Sequence, residues 1–182
     1  MENDENQLAQ KRAQEALARA LNVPASDLEI ELCDGAVVPG LIPFRGRQLS
    51  KKGRRGSYSV GVLGKDGIEL DSDKAMAAVA HALRSPDGKR QPDPKMLARV
   101  CGFLEGEMEP ARAILSDKDL ETIDPQQRPF IYFPRALLVD GDPAIDYWVR
   151  GHGVHRSRLV MKADGKVELE VMSIGSIMDS NK

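Results

Sequence analysis

Aromatic residues, cysteines and long apolar runs are scarce in this sequence. Aromatic residues make up only 4% of its 182 residues, so aliphatic side chains must fill most of the core. The two cysteines, Cys33 and Cys101, stand at no metal-ligand spacing, which indicates two buried thiols. No run approaches the roughly 20 apolar residues that cross a membrane. Because the polar start MENDENQ also lacks the apolar stretch of a secretory signal, we expect a cytoplasmic protein with no membrane contact.

Signatures of common catalytic and cofactor sites are also missing. The sequence contains no GxxxxGKS, GxxxxGKT, GxGxxG or HExxH motif, so we expect no cofactor and assign no catalytic residue. The acidic run of Asp140, Asp142 and Asp146 lacks the glycine and the final glutamate of a calcium-binding loop. We interpret this run as a turn.

The remaining composition, 41% hydrophobic and 30% charged, is typical of a globular protein and predicts one domain that spans the chain. Apolar residues recur at helical spacing in residues 4–21, in residues 73–84 and from Pro94 onward, whereas residues 28–32 alternate as in a strand. After residue 130, short runs rich in branched and aromatic residues predict further strands. We therefore predict an α+β fold, in which a mainly antiparallel sheet (a C-terminal meander plus an N-terminal hairpin) is covered by three or four helices.

Two segments between these elements are expected to be irregular. Residues 36–56 contain prolines, glycines and a basic cluster, so we predict a flexible basic loop. Residues 85–94 predict a polar connector. By contrast, Lys65, Asp66 and Gly67 separate two alternating runs and indicate the tight turn of the N-terminal hairpin.

The net charge of −2 conceals a segregated pattern. Residues 41–60 carry six basic side chains and no acid, and residues 148–166 carry five against one acid. Residues 105–146 carry ten acids against four bases. Such segregation predicts local surfaces of opposite sign.

The two basic segments are the candidate binding site. Cations on an exposed loop hold phosphates or carboxylates by charge and by counterion release. Few aromatic residues flank them, which favours contact with a phosphate backbone over base stacking. If the two segments share a face, they predict a polyanion-binding surface formed by Arg45, Arg47, Lys51, Lys52, Arg54, Arg55, Arg150, His152, His155, Arg156 and Arg158. The alternative is a solvated loop that only keeps the protein soluble.

The histidines of the second segment admit a catalytic alternative. His152 and His155 could ligate a metal or exchange protons beside a carboxylate such as Asp146. Positions three apart on a strand point to opposite faces, however, and no third ligand stands at a recognised spacing. We therefore predict no metal site.

The apolar end of the sequence, VMSIGSIM, predicts a docking segment. Apolar residues near a terminus fray unless they pack against something. Ile174, Ile177 and Met178 are therefore expected to dock, either onto the helices of the same chain or onto a second copy or another protein.

Together, these patterns predict a non-enzymatic binding or assembly protein that presents a basic loop to a polyanion such as nucleic acid, or to an acidic protein partner. One alternative is a protein-protein adaptor or a chaperone-like dimer, in which the basic loop is incidental. The other is a small histidine-dependent or metal-dependent hydrolase.

Overall fold

The computed structural model of this chain describes residues 2–49, 58–84, 92–106, 110–151 and 153–175. The predicted α+β class with antiparallel sheets is confirmed. The helices are α1 (Glu2–Leu21), α2 (Ser72–Leu83), α3 (Pro94–Leu104) and α4 (Asp117–Glu121). The strands are β1 (Leu28–Leu32), β2 (Ile42–Gln48), β3 (Tyr58–Gly64), β4 (Gly67–Glu69), β5 (Arg112–Ala113), β6 (Arg135–Val139), β7 (Asp142–Arg150), β8 (Val154–Met161) and β9 (Val167–Ser173).

The first four strands form one antiparallel sheet in the order β1-β2-β3-β4. The alternating run of β1 buries Leu28 and Ile30 on the face that α1 covers, as its spacing predicts. The stripe of α1 that faces them consists of alanines around the fully buried Leu17. Strands β3 and β4 form the predicted N-terminal hairpin.

The prediction that residues 36–56 form one long loop is wrong for Ile42–Gln48, which form β2. Phe44 is fully buried against α1, whereas Arg45 points to the opposite face of the sheet. Gly46 lies under α1, and a β-carbon there would come within 2.1 Å of Leu17 Cδ2. The glycine thus serves close helix packing within a strand, a role that composition does not distinguish from loop formation.

The other strands form a second antiparallel sheet in the order β5-β7-β8-β9, and β6 also pairs with β7. Strands β6 to β9 are neighbours in sequence order, as the predicted C-terminal meander requires. The interpretation of residues 130–133 as a further strand is wrong, because Phe130 ends a short 3-10 helix and irregular chain follows. Pro129 and Pro134 flank this segment, and proline offers no N–H to a strand ladder.

Helices α2 and α3 lie between the two sheets. Helix α2 packs against β3 and β9, and α3 packs against β2 and β7. Each helix begins at an aspartate cap: Asp71 accepts a hydrogen bond from the N–H of Lys74, and Asp93 from that of Lys95. The helices and the inner faces of both sheets share a core that includes Val60, Val62, Met76, Val79, Leu97, Val100, Ile145, Val149 and Leu159.

The outer face of the five-stranded sheet has a smaller core around Trp148, which is almost fully buried. Ile174 packs there beside Ile114 and Ile123. Of the two kinds of docking expected for Ile174, the structure shows packing within the same chain, against the sheet that precedes it. Predicted partner-binding residues Ile177 and Met178 lie outside the described residues. In the described ranges, no helix is both long and apolar enough to span a bilayer.

Candidate anion-binding cleft between the two sheets

Arg45, the first cation of the predicted basic surface, is buried between the two sheets and is only 1% exposed. Its guanidinium donates to the carbonyl oxygens of Phe103 at 2.8 Å and Ala111 at 3.1 Å. It also donates to Glu31 Oε2 at 3.1 Å and lies over the ring of Phe103. Burial lowers the pKa of Arg45, and the charge of Glu31 opposes that shift. Arg45 therefore ties β2 to the end of α3 and does not face a ligand in solvent.

Glu31 connects Arg45 to a cation of the second sheet. Its other oxygen, Oε1, accepts a hydrogen bond from Arg112 on β5 at 3.1 Å. Arg112 in turn lies opposite Arg150 in the register of β5 and β7. The two predicted basic segments thus approach each other, but a carboxylate and a buried arginine lie at their junction.

A cleft of about 400 Å³ opens beside Glu31 and its two arginines, between β1, α3 and the chain that follows β5. Lys95 and Arg99 lie one helical turn apart on α3, and both line the cleft. Arg99 donates to the backbone oxygen of Asp34 at 3.1 Å, and Lys95 Nζ lies 5.9 Å from the centre of the Phe133 ring. In the part of the chain that the structure describes, neither cation has a carboxylate partner.

The remaining walls of the cleft supply apolar surface and three acids, Glu31, Asp34 and Asp119. Glu31 is shared by two arginines. Asp119 accepts hydrogen bonds from the N–H groups of Leu115 and Ser116 at 3.0 and 2.9 Å. Burial would raise the pKa of Asp119, but these bonds and the Ser116 hydroxyl outweigh it and lower the pKa. The apolar part of the wall consists of Phe103, Ala113 and Leu115.

Cys33 also lines the cleft, and its side chain is buried. Burial raises the pKa of Cys33 to about 12, although the positive charge of Arg99 lies nearby. The thiol therefore stays protonated at neutral pH, and a protonated thiol is a poor nucleophile. What the cleft offers is two cations without a described carboxylate partner, Lys95 and Arg99, beside apolar contact area and three acids.

On the outer face of the five-stranded sheet, the arginines of the second basic segment contact neighbouring strands. Arg158 Nε donates to Asp146 Oδ1 at 2.7 Å, and its NH1 lies 3.5 Å from Glu170 Oε2. Arg156 donates to the sulfur of Met172 at 3.8 Å. Arg158 is therefore neutralised by carboxylates, as a structural strand residue would be.

His155 lies on the inner face of the same sheet. Its Nε2 lies 2.9 Å from Glu105 Oε2, and Glu105 also accepts hydrogen bonds from Tyr147 and Ser157 at 2.7 Å each. Asp146 points to the opposite face, because it stands three positions from Val149, the residue paired with His155. Asp146 is therefore not beside His155, and the carboxylate that contacts His155 is Glu105. The histidine-dependent alternative stays a prediction.

The other predicted cations are either engaged with neighbours or outside the described residues. Arg47 pairs with Glu29 at 2.9 Å, and Arg150 donates to the hydroxyl of Thr122. Among the side chains placed by the structure, no group of three or more His, Cys, Asp or Glu could hold a metal ion. The predicted polyanion-binding residues that lie outside the described ranges are Lys51, Lys52, Arg54, Arg55 and His152.

Sequence analysis did not identify the cations of the cleft, which are Lys95, Arg99 and Arg112. They come from two consecutive elements, α3 and β5, and no motif joins them. The sequence did contain one signal for the ion pairs between β1 and β2. Glu29 and Glu31 alternate on β1 as Arg45 and Arg47 alternate on β2. Two such runs of opposite charge favour antiparallel pairing, and the register of β1 and β2 places each acid opposite an arginine.

Comparison with models of protein families, with curated proteins and with solved structures finds no match to this chain. The interpretation of the cleft therefore depends on its own geometry and charge.

Proposed function

We propose that this chain is a binding protein that holds a small organic anion in the cleft between its two sheets. The observation behind the proposal is the pair of Lys95 and Arg99, which line the cleft with no carboxylate partner in the described part of the chain. Arg99 is half-buried in the wall of the cleft, and Lys95 is exposed at the same wall one helical turn away. The carboxylate or phosphate of a ligand would supply the missing partner through charge-assisted hydrogen bonds.

The size and walls of the cleft indicate the kind of anion. A volume of about 400 Å³ lies within the range of small-molecule sites and is too small for a folded partner. Phe103 and Leu115 on its walls favour a ligand with an apolar body. Arg112 is 70% exposed at the cleft and could turn from Glu31 toward the same anion.

The wider prediction, a surface for nucleic acid or an acidic protein, stays a prediction. Four of its lysines and arginines lie outside the described residues. Of the others, Arg45, Arg47 and Arg158 already contact carboxylates. This pairing favours a ligand for the cleft over a polymer on the surface.

Binding of 2-naphthoate, a carboxylate on an apolar two-ring body, tests the proposal. We expect a dissociation constant of about 1 mM or lower, from a ligand efficiency of about 0.3 kcal/mol per heavy atom. Amide shift changes in a nuclear magnetic resonance titration should cluster at the start of α3 and at β5. Arg99→Gln should weaken binding about tenfold, because it removes one charged hydrogen-bond donor.

Two controls accompany this titration. Naphthalene-2-methanol has the same rings without the charge and should bind much more weakly. Lys11→Gln removes a cation from the exposed face of α1, away from the cleft, and should leave naphthoate binding unchanged. Equal affinity for the acid and the alcohol, or for Arg99→Gln and the unaltered protein, would contradict the proposal.

A further inference from the structure

Charged side chains form two rows across the outer face of the five-stranded sheet, and from β7 to β9 both rows run acid, base, acid. In the first row, Arg158 on β8 lies between Asp146 on β7 and Glu170 on β9, at 2.7 and 3.5 Å. In the second, Lys162 lies between Asp142 and Glu168, with Nζ at 3.2 and 3.1 Å from their oxygens. Both rows therefore end in an acid on β9.

Strand β9 is the last strand of its sheet in the described part of the chain. The edge of a sheet carries backbone N–H and C=O groups that can pair with another strand. At the first strand of the other sheet, the chain covers such groups itself. Gln10 and Gln14 on α1 donate to the backbone oxygens of Ile30 and Leu28 on β1, at 2.6 and 2.8 Å. Along Val167–Met172 of β9, no side chain within the described ranges covers the backbone in this way.

The exposed surface of β9 combines acids with apolar side chains. Glu168 and Glu170 are 62% and 60% exposed despite their basic neighbours. Val171 is 57% and Met172 43% exposed, although β9 contains neither the proline nor the bulge that commonly protects an edge. An exposed apolar edge of this length is a surface suited to strand addition.

We propose that β9 binds an extended, basic segment of a partner protein as an additional strand of the sheet. A partner strand beside β9 that places lysine or arginine next to Glu168 and Glu170 would continue both charged rows as acid, base, acid, base. Side chains two apart in a strand share a face, so the partner segment carries its two cations at positions i and i+2. The residue between them is apolar and lies on the side of Leu169 and Val171.

The charge of β9 favours such a partner over a second copy of this chain. A second β9 would bring the same two glutamates to the edge. Antiparallel self-pairing centred on Leu169 places Glu168 opposite Glu170, and pairing centred on Glu170 places that residue opposite itself. Like charges directly opposite each other destabilise a strand pair.

A fluorescent seven-residue peptide, TVKVKVT, tests this proposal by anisotropy against the full chain. We expect binding that saturates at high micromolar concentration, and protection of β9 amides from hydrogen exchange when the peptide is bound. The double variant Glu168→Gln, Glu170→Gln should weaken binding about fivefold, because two exposed ion pairs contribute about 1 kcal/mol together. The matched control Glu5→Gln, Glu15→Gln alters two exposed acids of α1 and should leave binding unchanged.

Two further peptides separate strand addition from simple charge attraction. TVEVEVT has the same pattern with the opposite charge and should not bind. A fully N-methylated TVKVKVT keeps its charges but donates no backbone hydrogen bond, so it should not bind either. Equal binding of the N-methylated peptide, protection of amides elsewhere than β9, or absence of binding would each overturn the proposal. If the protein alone sediments as a dimer and substitutions in β9 abolish that dimer, the proposal is also overturned, because the edge then binds a second copy of the chain.

Discussion

Each sheet of this protein buries one charged side chain, and the two differ in sign and in the way they are held. Arg45 in the four-stranded sheet is 1% exposed, and Asp146 in the five-stranded sheet is 0% exposed. The partners of Arg45 are mainly backbone carbonyls from distant segments, with one carboxylate that is 40% exposed. The partners of Asp146 are side chains from its own neighbourhood in the sheet.

Three side chains donate hydrogen bonds to Asp146. Arg158 Nε lies at 2.7 Å, the hydroxyl of Tyr132 at 3.1 Å and the NH2 of Arg135 at 3.4 Å. Arg135 also lies over the ring of Tyr132, at 3.9 Å from its centre. Burial would raise the pKa of Asp146, but the hydrogen bonds and charges of its partners outweigh burial and lower the pKa.

The two sites differ in the groups that lose a partner when the buried charge is removed by substitution. Without Asp146, the half-buried Arg158 keeps only the longer contact with Glu170, at 3.5 Å, and Arg135, which is 58% exposed, loses its carboxylate. Without Arg45, two neutral carbonyls lose a donor, and Glu31 keeps Arg112 and contact with water. A stranded charge costs more free energy than an unpaired carbonyl, so the anionic site should be the more sensitive of the two.

The largest effect is expected for Asp146→Asn. The substitution preserves shape but removes the charge that accepts three hydrogen bonds, so we expect the free energy of unfolding to fall by about 3 kcal/mol. Urea unfolding at pH 7 measures this loss. The control is Asp142→Asn on the same strand, whose carboxylate is 28% exposed and should matter much less. Similar losses in the two variants would contradict the role assigned to burial.

A smaller effect is expected for Arg45→Met, which keeps an unbranched chain in the buried space. The carbonyls of Phe103 and Ala111 lose their donors, so we expect a loss of about 1 to 3 kcal/mol in the same urea experiment. Arg45 Nε is buried without a hydrogen-bond partner among the described residues, which limits the loss. Arg47→Met changes an exposed arginine of the same strand and should have little effect. Unchanged or increased stability of Arg45→Met would show that desolvation outweighs the hydrogen bonds of the guanidinium.

The smallest effect is expected on the dependence of the free energy of unfolding on pH in acid solution. A carboxyl whose pKa is lowered on folding stabilises the protein fully above its unfolded value, here 3.8, and loses this contribution as pH falls through the folded value. The free energy of unfolding of the unaltered protein should therefore fall more steeply below about pH 4 than that of Asp146→Asn. Parallel pH profiles of the two proteins would show that Asp146 titrates alike in both states.

Much of the fold could be predicted from local patterns. The helical spacing of residues 73–84 and the alternation of residues 28–32 correspond to α2 and β1 within one residue at each end. These patterns succeed because helix and strand periods are properties of the backbone itself. They failed at Ile42–Gln48, where a buried arginine and a packed glycine give a strand the composition of a loop.

The candidate site was much less accessible to sequence reasoning. Two predicted cations, Arg45 and Arg158, belong to ion pairs inside the fold, whereas Lys95 and Arg99 in the cleft belong to no basic cluster. Basic residues that cluster in the sequence indicate a high local positive charge, but a carboxylate from another strand can neutralise that charge. Pairing of this kind depends on strand register, which no single segment specifies.

The sequence by itself determined the α+β class, most helix and strand positions and the separation of basic from acidic segments. Only the tertiary structure decided which charges are neutralised, which line a cleft and which lie on the last strand of a sheet. The physical reason is range: backbone periodicity acts over a few residues, whereas the energy of a charge depends on every group that folding brings within a few ångströms of it.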